Sequence, residues 1–229
     1  MGKGEEIDVN TSALYFSKNV FINCPFDTEY IPLLRPLLFT VVYLGYKPRI
    51  TSERFDSGEQ RIQKICNLIT TSKFSIHDLS RTQAKRRGEV YRLNMPFELG
   101  IDIGCRLFKE GETRSKICLI LEKKSYEYQK ALSDLSGVDV KAHGEDAQKV
   151  IREVRNWFVT NELGTAASPA KIWAYFNEFM ADFYQERERE GYREEDLQMM
   201  PIPEYINFIN AWLARRERHG SQTRLTEKS

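Results

Sequence analysis

Short apolar runs and longer helical patterns alternate along most of this chain. Val20-Phe21-Ile22 is the first run, and the stretch from Glu29 to Leu44 that follows its turn is long enough only for a helix. Gly45 favours the end of this helix, because glycine readily adopts the left-handed conformation that ends many helices. The same strand-then-helix unit recurs down the chain. Such alternation predicts an α/β domain on a mostly parallel sheet, with helices on both faces.

The remaining elements of this domain follow from their apolar periodicity. The strands predicted after the first are 46–50, 74–79, 117–121 and 138–140. Apolar residues at helical spacing predict helices over 59–69 and 150–158. The sequence therefore predicts a mostly parallel sheet of five strands joined by helices.

The segment from Met95 to Leu107 fits two structures. Its apolar residues alternate with polar or small ones, which is typical of a strand. About fourteen residues is long for a strand, however, and Gly100 and Gly104 would give one smooth helix face for close approach to the sheet. We favour a buried helix. Pro96 fits its first turn, which puts Glu98 near the helix N-terminus.

The chain divides by composition into an α/β domain and flanking segments. The predicted domain is 19–163, preceded by an N-terminal extension, 1–18. A small-residue linker, 164–169, leads to two aromatic-rich amphipathic patterns over 170–214, which predict a helical hairpin. We expect the tail, 215–229, to be disordered. The hairpin either packs on its own domain or, since such aromatic stripes need covering, contacts a second copy or a partner protein.

Composition excludes several classes of protein. Lys and Arg number 34 against 33 Asp and Glu, so no net field favours bulk nucleic acid or a membrane surface. No apolar run approaches the roughly 20 residues of a membrane span. Met1 to Asn10 lacks the apolar core of a signal peptide, and we expect a cytoplasmic protein.

The cysteines and histidines show no metal-ligand spacing. Four cysteines stand singly, without a Cys-x-x-Cys pair, and three histidines are equally scattered: Cys24, Cys66, Cys105, Cys118, His77, His143 and His219. We predict reduced thiols and no metal site.

The ligand of a parallel α/β sheet binds beyond the carboxyl ends of its strands. Three segments should therefore meet there: 23–27, 78–81 and 94–98. They hold the candidate site residues, which are Asn23, Cys24, Pro25, Phe26, Asp27, Asp78, Ser80, Arg81, Asn94 and Glu98. Glu98 suits the stabilisation of an oxocarbenium-like charge at an anomeric carbon, whereas the alternative is a glutamate that only complements the helix dipole.

Parts of this pattern resemble a TIR-type domain. Val20-Phe21-Ile22-Asn23 followed by Asp27 resembles the opening strand and loop of that family, and Ser72 to Ser80 resembles its third strand. Glu98-Leu99 falls where the family has its glutamate-leucine pair, although Asn94-Met95 replaces the tryptophan-cysteine. The resemblance implies a flavodoxin-like fold, cleavage of NAD by a glutamate that positions the ribose, bacterial antiviral defence, and work as an assembly.

The chain also resembles the nucleoside 2-deoxyribosyltransferases. Cys24-Pro25-Phe26 is similar to the substrate loop of that family, Asp78 to its acid after strand three, and Phe97-Glu98-Leu99-Gly100 to its nucleophile motif. Asn94 stands where that family carries another acid. The resemblance implies that Glu98 attacks C1′ and that Asp78 protonates a neutral leaving base. Arg81 is our preferred phosphate contact within the connector 80–92.

Three functions remain open from the sequence. The first is a TIR-like NAD glycohydrolase that needs no cofactor beyond NAD or a related nucleotide as substrate. The second is a deoxyribosyltransferase or nucleotide hydrolase. The third is a nucleotide-sensing or adaptor domain without turnover, whose C-terminal helices bind a partner or a second copy.

Overall fold

The computed structural model describes residues 9–81, 93–128, 132–135 and 137–226. Most of the connector 80–92, in which we predicted phosphate contacts, therefore lies outside the described residues; Ser80 and Arg81 lie within them. The described residues form two compact units, one of 9–26 and 45–145 and the other of 27–44 and 146–226.

The first unit contains a five-stranded sheet that is parallel throughout. Its strands are β1 (Asn19–Asn23), β2 (Lys47–Arg49), β3 (Phe74–Asp78), β4 (Ile117–Glu122) and β5 (Val140–Ala142). Their order across the sheet is β2-β1-β3-β4-β5. This confirms the predicted flavodoxin-like α/β fold.

The helices follow the strands in the predicted alternation. They are α1 (Val9–Lys18), α2 (Ile31–Tyr43), α3 (Arg61–Thr70), α4 (Asn94–Phe108), α5 (Ala147–Phe158), α6 (Pro169–Arg189), α7 (Glu194–Gln198) and α8 (Ile202–Thr226). Short turns of 3-10 helix at Gly111–Ser115 and Ser133–Leu135 and of π-helix at Val159–Leu163 complete the described chain. Within this described chain, no helix is long and apolar enough to cross a membrane.

One face of the sheet is covered by α3 and α4 of the same unit. Phe21 packs with three apolar residues of α3, which are Ile65, Leu68 and Ile69. Met95 and Leu99 of α4 pack with Ile120 and Val140 on the same face. Since Asn23 and His77 are paired in register across β1 and β3, both also belong to this face.

The segment with the ambiguous pattern is a helix, as predicted, but its two glycines do not approach the sheet. The buried residues of α4 are Met95, Glu98, Leu99 and Asp102. Gly100 is exposed with nothing within 4 Å of an added Cβ, and an added Cβ at Gly104 would contact only the ring of Phe108. At 100° per residue the glycines fall on the side away from Leu99 and Asp102. The expectation of a smooth glycine face against the sheet was wrong.

Two terminal predictions also differ from the structure. The N-terminal extension contains α1, whose pattern we did not identify, and the backbone N–H of Lys73 donates to Phe16 O over 3.0 Å. The tail from Arg215, which we expected to be disordered, is helical as far as Thr226, where α8 ends. Strand β5 begins two residues later than we predicted.

The second unit joins α2 and α5 to the C-terminal helices. Phe39 of α2 is buried against the rings of Phe176, Phe179 and Trp212. Arg35, one turn earlier, donates to Tyr184 Oη at 2.8 Å and to Leu197 O at 2.6 Å. These contacts explain why α2 groups with the late helices, although the sequence places it in the α/β domain.

The aromatic stripe of α6 is covered within this second unit. Ile172, Phe176, Phe179 and Phe183 are all buried. Phe183 contacts the rings of Tyr205 and Phe208 in α8. Because the stripe is covered, it gives no support to the expected contact with a second copy or a partner. That contact stays a prediction.

Candidate functional site

The three predicted segments come together at the carboxyl edge of the sheet, where Leu79 of segment 78–81 shares a core cluster with Met95 of segment 94–98. Asn23 is the last residue of β1, and its Nδ2 donates a 2.9 Å hydrogen bond to Met95 O in the first turn of α4. This bond joins segment 23–27 to segment 94–98. Glu98 follows Met95 by three residues, so the strand end and the candidate catalytic acid belong to one local framework.

Glu98 is a buried carboxylate that pairs with a cation of the described residues, Arg61. Its side chain is 5 % exposed, while Arg61, whose Nη2 lies 3.3 Å from Glu98 Oε1, is 62 % exposed. Burial raises the pKa of Glu98, and the charge of Arg61 opposes that rise. Arg61 is the first residue of α3. An exposed guanidinium thus lies directly against the candidate acid.

Asn23 also fixes the tautomer of His77. The amide Nδ2 of Asn23 lies 2.9 Å from His77 Nδ1, and it has donated its other hydrogen to Met95 O. An amide nitrogen only donates, so His77 Nδ1 accepts and the ring proton resides on Nε2. His77 Nε2 then donates to Asp102 Oδ2 over 3.0 Å. The side chains of β1, β3 and α4 are connected in one chain of hydrogen bonds.

Asp102 ends this chain as a buried anion. Lys116 Nζ lies 3.0 Å from its other oxygen, Oδ1, and both side chains are almost fully buried. Burial opposes ionisation, but the hydrogen bond from His77 and the charge of Lys116 outweigh it and lower the pKa of Asp102 to about 2. Asp102 is therefore ionised throughout the neutral range.

Lys116 connects the network to the end of α3. Its Nζ donates to Ile69 O at 2.8 Å and to Ser72 O at 2.5 Å. The last carbonyls of a helix lack intrahelical partners, and the negative end of the helix dipole favours a cation there. Lys116 thus satisfies the end of α3 and the charge of Asp102 together.

Asp78 belongs to a different cluster. It is fully buried, its Oδ1 accepts from the backbone N–H of Ser80 at 2.8 Å, and its Oδ2 lies 3.1 Å from His143 Nε2. His143 Nδ1 accepts from the N–H of Glu145 over 3.0 Å, which leaves the ring proton on Nε2, toward Asp78. Asp78 is thus engaged by its own loop and by the segment after β5.

The other predicted site residues differ in exposure. Cys24 and Pro25 are buried, whereas Phe26 is 42 % exposed directly after them. Asn94 is exposed at the start of α4, and Arg81 is half-buried. Asp27 is the first residue of the second unit, where its carbonyl accepts from Tyr30 N. Of this group, Phe26 and Asn94 are the most open to a ligand.

One group of side chains in the described ranges has metal-ligand chemistry. His77, Asp102 and Cys118 each bring one ligand atom within 4.8 Å of the others. Lys116 already places a positive charge on Asp102, and burial raises the pKa of the Cys118 thiol to about 12, so the thiol is protonated. A cation would have to displace Lys116, and the cluster suits a hydrogen-bonded network better.

The sequence analysis missed the residues that surround Glu98. Asp102 had a signal, because it follows Glu98 by four residues and therefore shares its helix face. The sequence signal for His77 was weaker: it is a polar residue inside an apolar strand. Lys116 and Arg61 had no signal that distinguishes them from other basic residues, because their partners are distant in sequence.

A second buried glutamate, Glu122, ends β4. Its Oε1 accepts from the backbone N–H of Tyr128 at 2.7 Å, and burial raises its pKa. Glu122 is thus occupied in holding the loop that follows β4. Glu122 is a chemical match to Glu98, but among the described residues it forms no ion pair.

The chain matches no protein-family model, and neither a curated protein nor a solved structure matches it significantly. The chemistry of the site must be argued from its own residues.

Proposed function

We propose that this protein is an N-glycosidase that cleaves the bond between ribose C1′ and nicotinamide in NAD or a related nucleotide. The observation that carries the proposal is Glu98: a buried carboxylate in the second turn of α4, at the carboxyl edge of a parallel sheet, beside an exposed arginine. Nucleotides bind at this edge in folds of this type.

The chemistry of the proposed reaction requires an anion near C1′. As the glycosidic bond lengthens, positive charge develops on the ribose, and a carboxylate held in a poorly solvated site stabilises that charge more than one in water. Glu98 is shielded from water and is held by the first turns of α4. Its role is to orient the ribose and to oppose the oxocarbenium charge until water attacks C1′.

Arg61 supports a nucleotide rather than a nucleoside as the substrate. An arginine fork matches a phosphate, and an exposed side chain moves at little cost. When the pyrophosphate of NAD binds Arg61, the guanidinium leaves Glu98. The carboxylate then loses its counter-charge at the moment when the ribose cation begins to form.

The state of Asp78 favours a substrate whose leaving group needs no acid. Nicotinamide in NAD already carries a positive charge and departs as a neutral molecule, whereas a neutral base must be protonated. Asp78, the candidate acid for a neutral base, is fully buried and engaged by Ser80 and His143. This supports the glycohydrolase over the deoxyribosyltransferase. A cytoplasmic location and a part in bacterial antiviral defence belong to the same proposal.

The test is product analysis with a matched pair of variants. The wild type, Glu98→Gln and Glu122→Gln are incubated with NAD and with a panel of deoxynucleosides, and products are separated chromatographically. We expect nicotinamide release by the wild type and a loss of about 100-fold or more in Glu98→Gln, since the amide keeps the shape but not the charge. Glu122→Gln makes the same chemical change at a similarly buried site and should stay within about threefold of wild type.

Two outcomes would overturn the proposal. Equal activity of the wild type and Glu98→Gln removes the role of the carboxylate. The absence of product from every substrate, with NAD bound in a calorimetric titration, would instead support a nucleotide-sensing domain.

A further inference from the structure

Glu98 lies between two fixed points on α4. Three residues before it, Met95 O accepts a hydrogen bond from Asn23 in β1. Four residues after it, Asp102 pairs with His77 and with Lys116. The helix is therefore attached to the sheet on both sides of the candidate acid.

Both fixed points lead to one side chain. Asn23 donates to Met95 O and to His77 Nδ1 with the same amide nitrogen, and His77 Nε2 donates to Asp102. His77 is fully buried in β3 and packs edge-on against the ring of Phe21. Its ring has no freedom to swing away without breaking both bonds.

We propose that His77 is a positioning residue, which holds α4 through Asn23 and Asp102 and so sets the orientation of the Glu98 carboxylate. His77 does not touch substrate, because none of its surface is open to solvent. The inference rests on the function proposed above for Glu98, but the fixing of α4 can be tested separately. A displacement of about 1 Å at a reacting group can cost about 100-fold in rate, which is why such a residue matters.

Two amide variants separate the two bonds of His77. Glutamine places an amide near the position of Nε2 and can still donate to Asp102. Asparagine places its amide near Nδ1, where it can accept from Asn23 but cannot reach Asp102. Ile76→Ala is the matched control: Ile76 is equally buried and adjacent in β3, its side chain lies on the opposite face, and its loss also destabilises the core.

The first measurement is steady-state kinetics with NAD well below the melting temperature of each variant. We expect His77→Asn to lose at least tenfold in kcat with KM within about threefold of wild type, because substrate still binds to a misaligned site. His77→Gln, which keeps the bond to Asp102 and loses the one from Asn23, should lose clearly less in kcat than His77→Asn, and Ile76→Ala should stay within about threefold in both constants. A merely structural role predicts instead that kcat follows melting temperature in all three variants, and that result would overturn the inference.

The second measurement does not depend on activity. Hydrogen exchange of the backbone amides in residues 95–102 should be at least about tenfold faster in His77→Asn than in Ile76→Ala or His77→Gln, compared at equal global stability. Unchanged exchange in His77→Asn overturns the positioning role whatever the kinetics show. If exchange is faster in His77→Asn but the wild type releases no nicotinamide, the role of His77 in fixing α4 is supported and the proposed glycosidase activity is contradicted.

A further variant covers the case in which His77→Asn does not fold. Asp102→Asn keeps the size of the side chain and weakens the same bond from the other side. It should show the same pattern, a loss in kcat at nearly constant KM with faster exchange of residues 95–102. Exchange equal to that of wild type would count against the inference.

Discussion

His77 and Asp78 are adjacent in β3, and their side chains enter separate networks on opposite faces of the sheet. His77 bonds to Asn23 and Asp102 beneath α4, whereas Asp78 contacts His143. Because side chains alternate along a strand, neighbouring residues cannot serve the same face. The β3 residue that belongs to the surroundings of Glu98 is therefore His77, and the role of Asp78 as an acid at the same site needs a direct test.

Asp78→Asn should have little effect on cleavage of NAD. The amide oxygen can still accept from the N–H of Ser80, and nicotinamide leaves without a proton. We expect kcat for NAD within about threefold of wild type. If a neutral deoxynucleoside is also cleaved, its rate should fall much further. An equally large loss on both substrates would indicate that Asp78 orients the site.

Arg61→Gln should move the acid limb of the pH profile of kcat/KM, which reports the free enzyme, to higher pH. Burial raises the pKa of Glu98 and the charge of Arg61 counters it, so removing that charge raises the pKa further. Since the ionised carboxylate is the active form, activity should be lost at a higher pH as the solution is acidified. KM for NAD should also rise if Arg61 binds phosphate.

The control for this variant is Arg114→Gln. The side chain of Arg114 is 66 % exposed, much like the 62 % of Arg61, but its carboxylate partner is the exposed Glu110. Arg114→Gln should leave both the pH profile and KM for NAD unchanged. An acid limb that moves equally in both variants would point to overall charge and not to Glu98.

Asp102→Asn should destabilise the protein at neutral pH and progressively less in acid. The pKa of Asp102 is about 2 in the folded chain against an ordinary value of 3.8, so its contribution is complete above about pH 4 and is lost as pH falls toward 2. This displacement corresponds to about 2 kcal/mol, and leaving Lys116 unpaired adds to the loss. Urea unfolding of the wild type and the variant at pH 7 and pH 3 measures the difference. A gap that widens in acid would contradict the expected sign.

The periodicity of the chain was enough to predict the sheet and most of its helices. Alternating apolar runs and helical patterns report burial directly, which is why an α/β domain on a mostly parallel sheet followed from the sequence. The face of α4 that packs against the sheet could not be predicted, because Gly100 and Gly104 are compatible both with close approach to the sheet and with exposure to solvent. Only the contacts of Leu99 and Asp102 decide between these two arrangements.

The site was less predictable than the fold for a physical reason. Asn23 lies at the end of β1 and Glu98 near the start of α4, where topology alone indicates a ligand site. Their partners His77 and Lys116 act through hydrogen bonds between residues far apart in the chain, and no local pattern encodes such pairs. Likewise, Phe39 gave no sign that α2 would pack with α6 and α8.

Truncation after Ser168 should make the remaining chain insoluble. Phe39 is fully buried against aromatic residues of α6 and α8, so their removal exposes the apolar face of α2. Light scattering and size-exclusion chromatography of residues 1–168 test this. A soluble, folded truncated chain that has lost both its oligomer and its activity would favour the assembly predicted from sequence, and a soluble, fully active monomer would contradict both.

The capping of α3 by Lys116 ties a local helix to a remote strand. The carbonyls of Ile69 and Ser72 accept from a residue 47 and 44 positions later, directly before β4, and the carbonyl of Ile69 accepts in addition from the backbone N–H of Ser72. A helix end that depends on so distant a group is incomplete until that strand has docked. A peptide covering α3 alone should therefore fray at its carboxyl end, and the last turn of α3 should gain protection during refolding only when β4 does. The order in which this unit acquires its structure is thus set in part by one lysine.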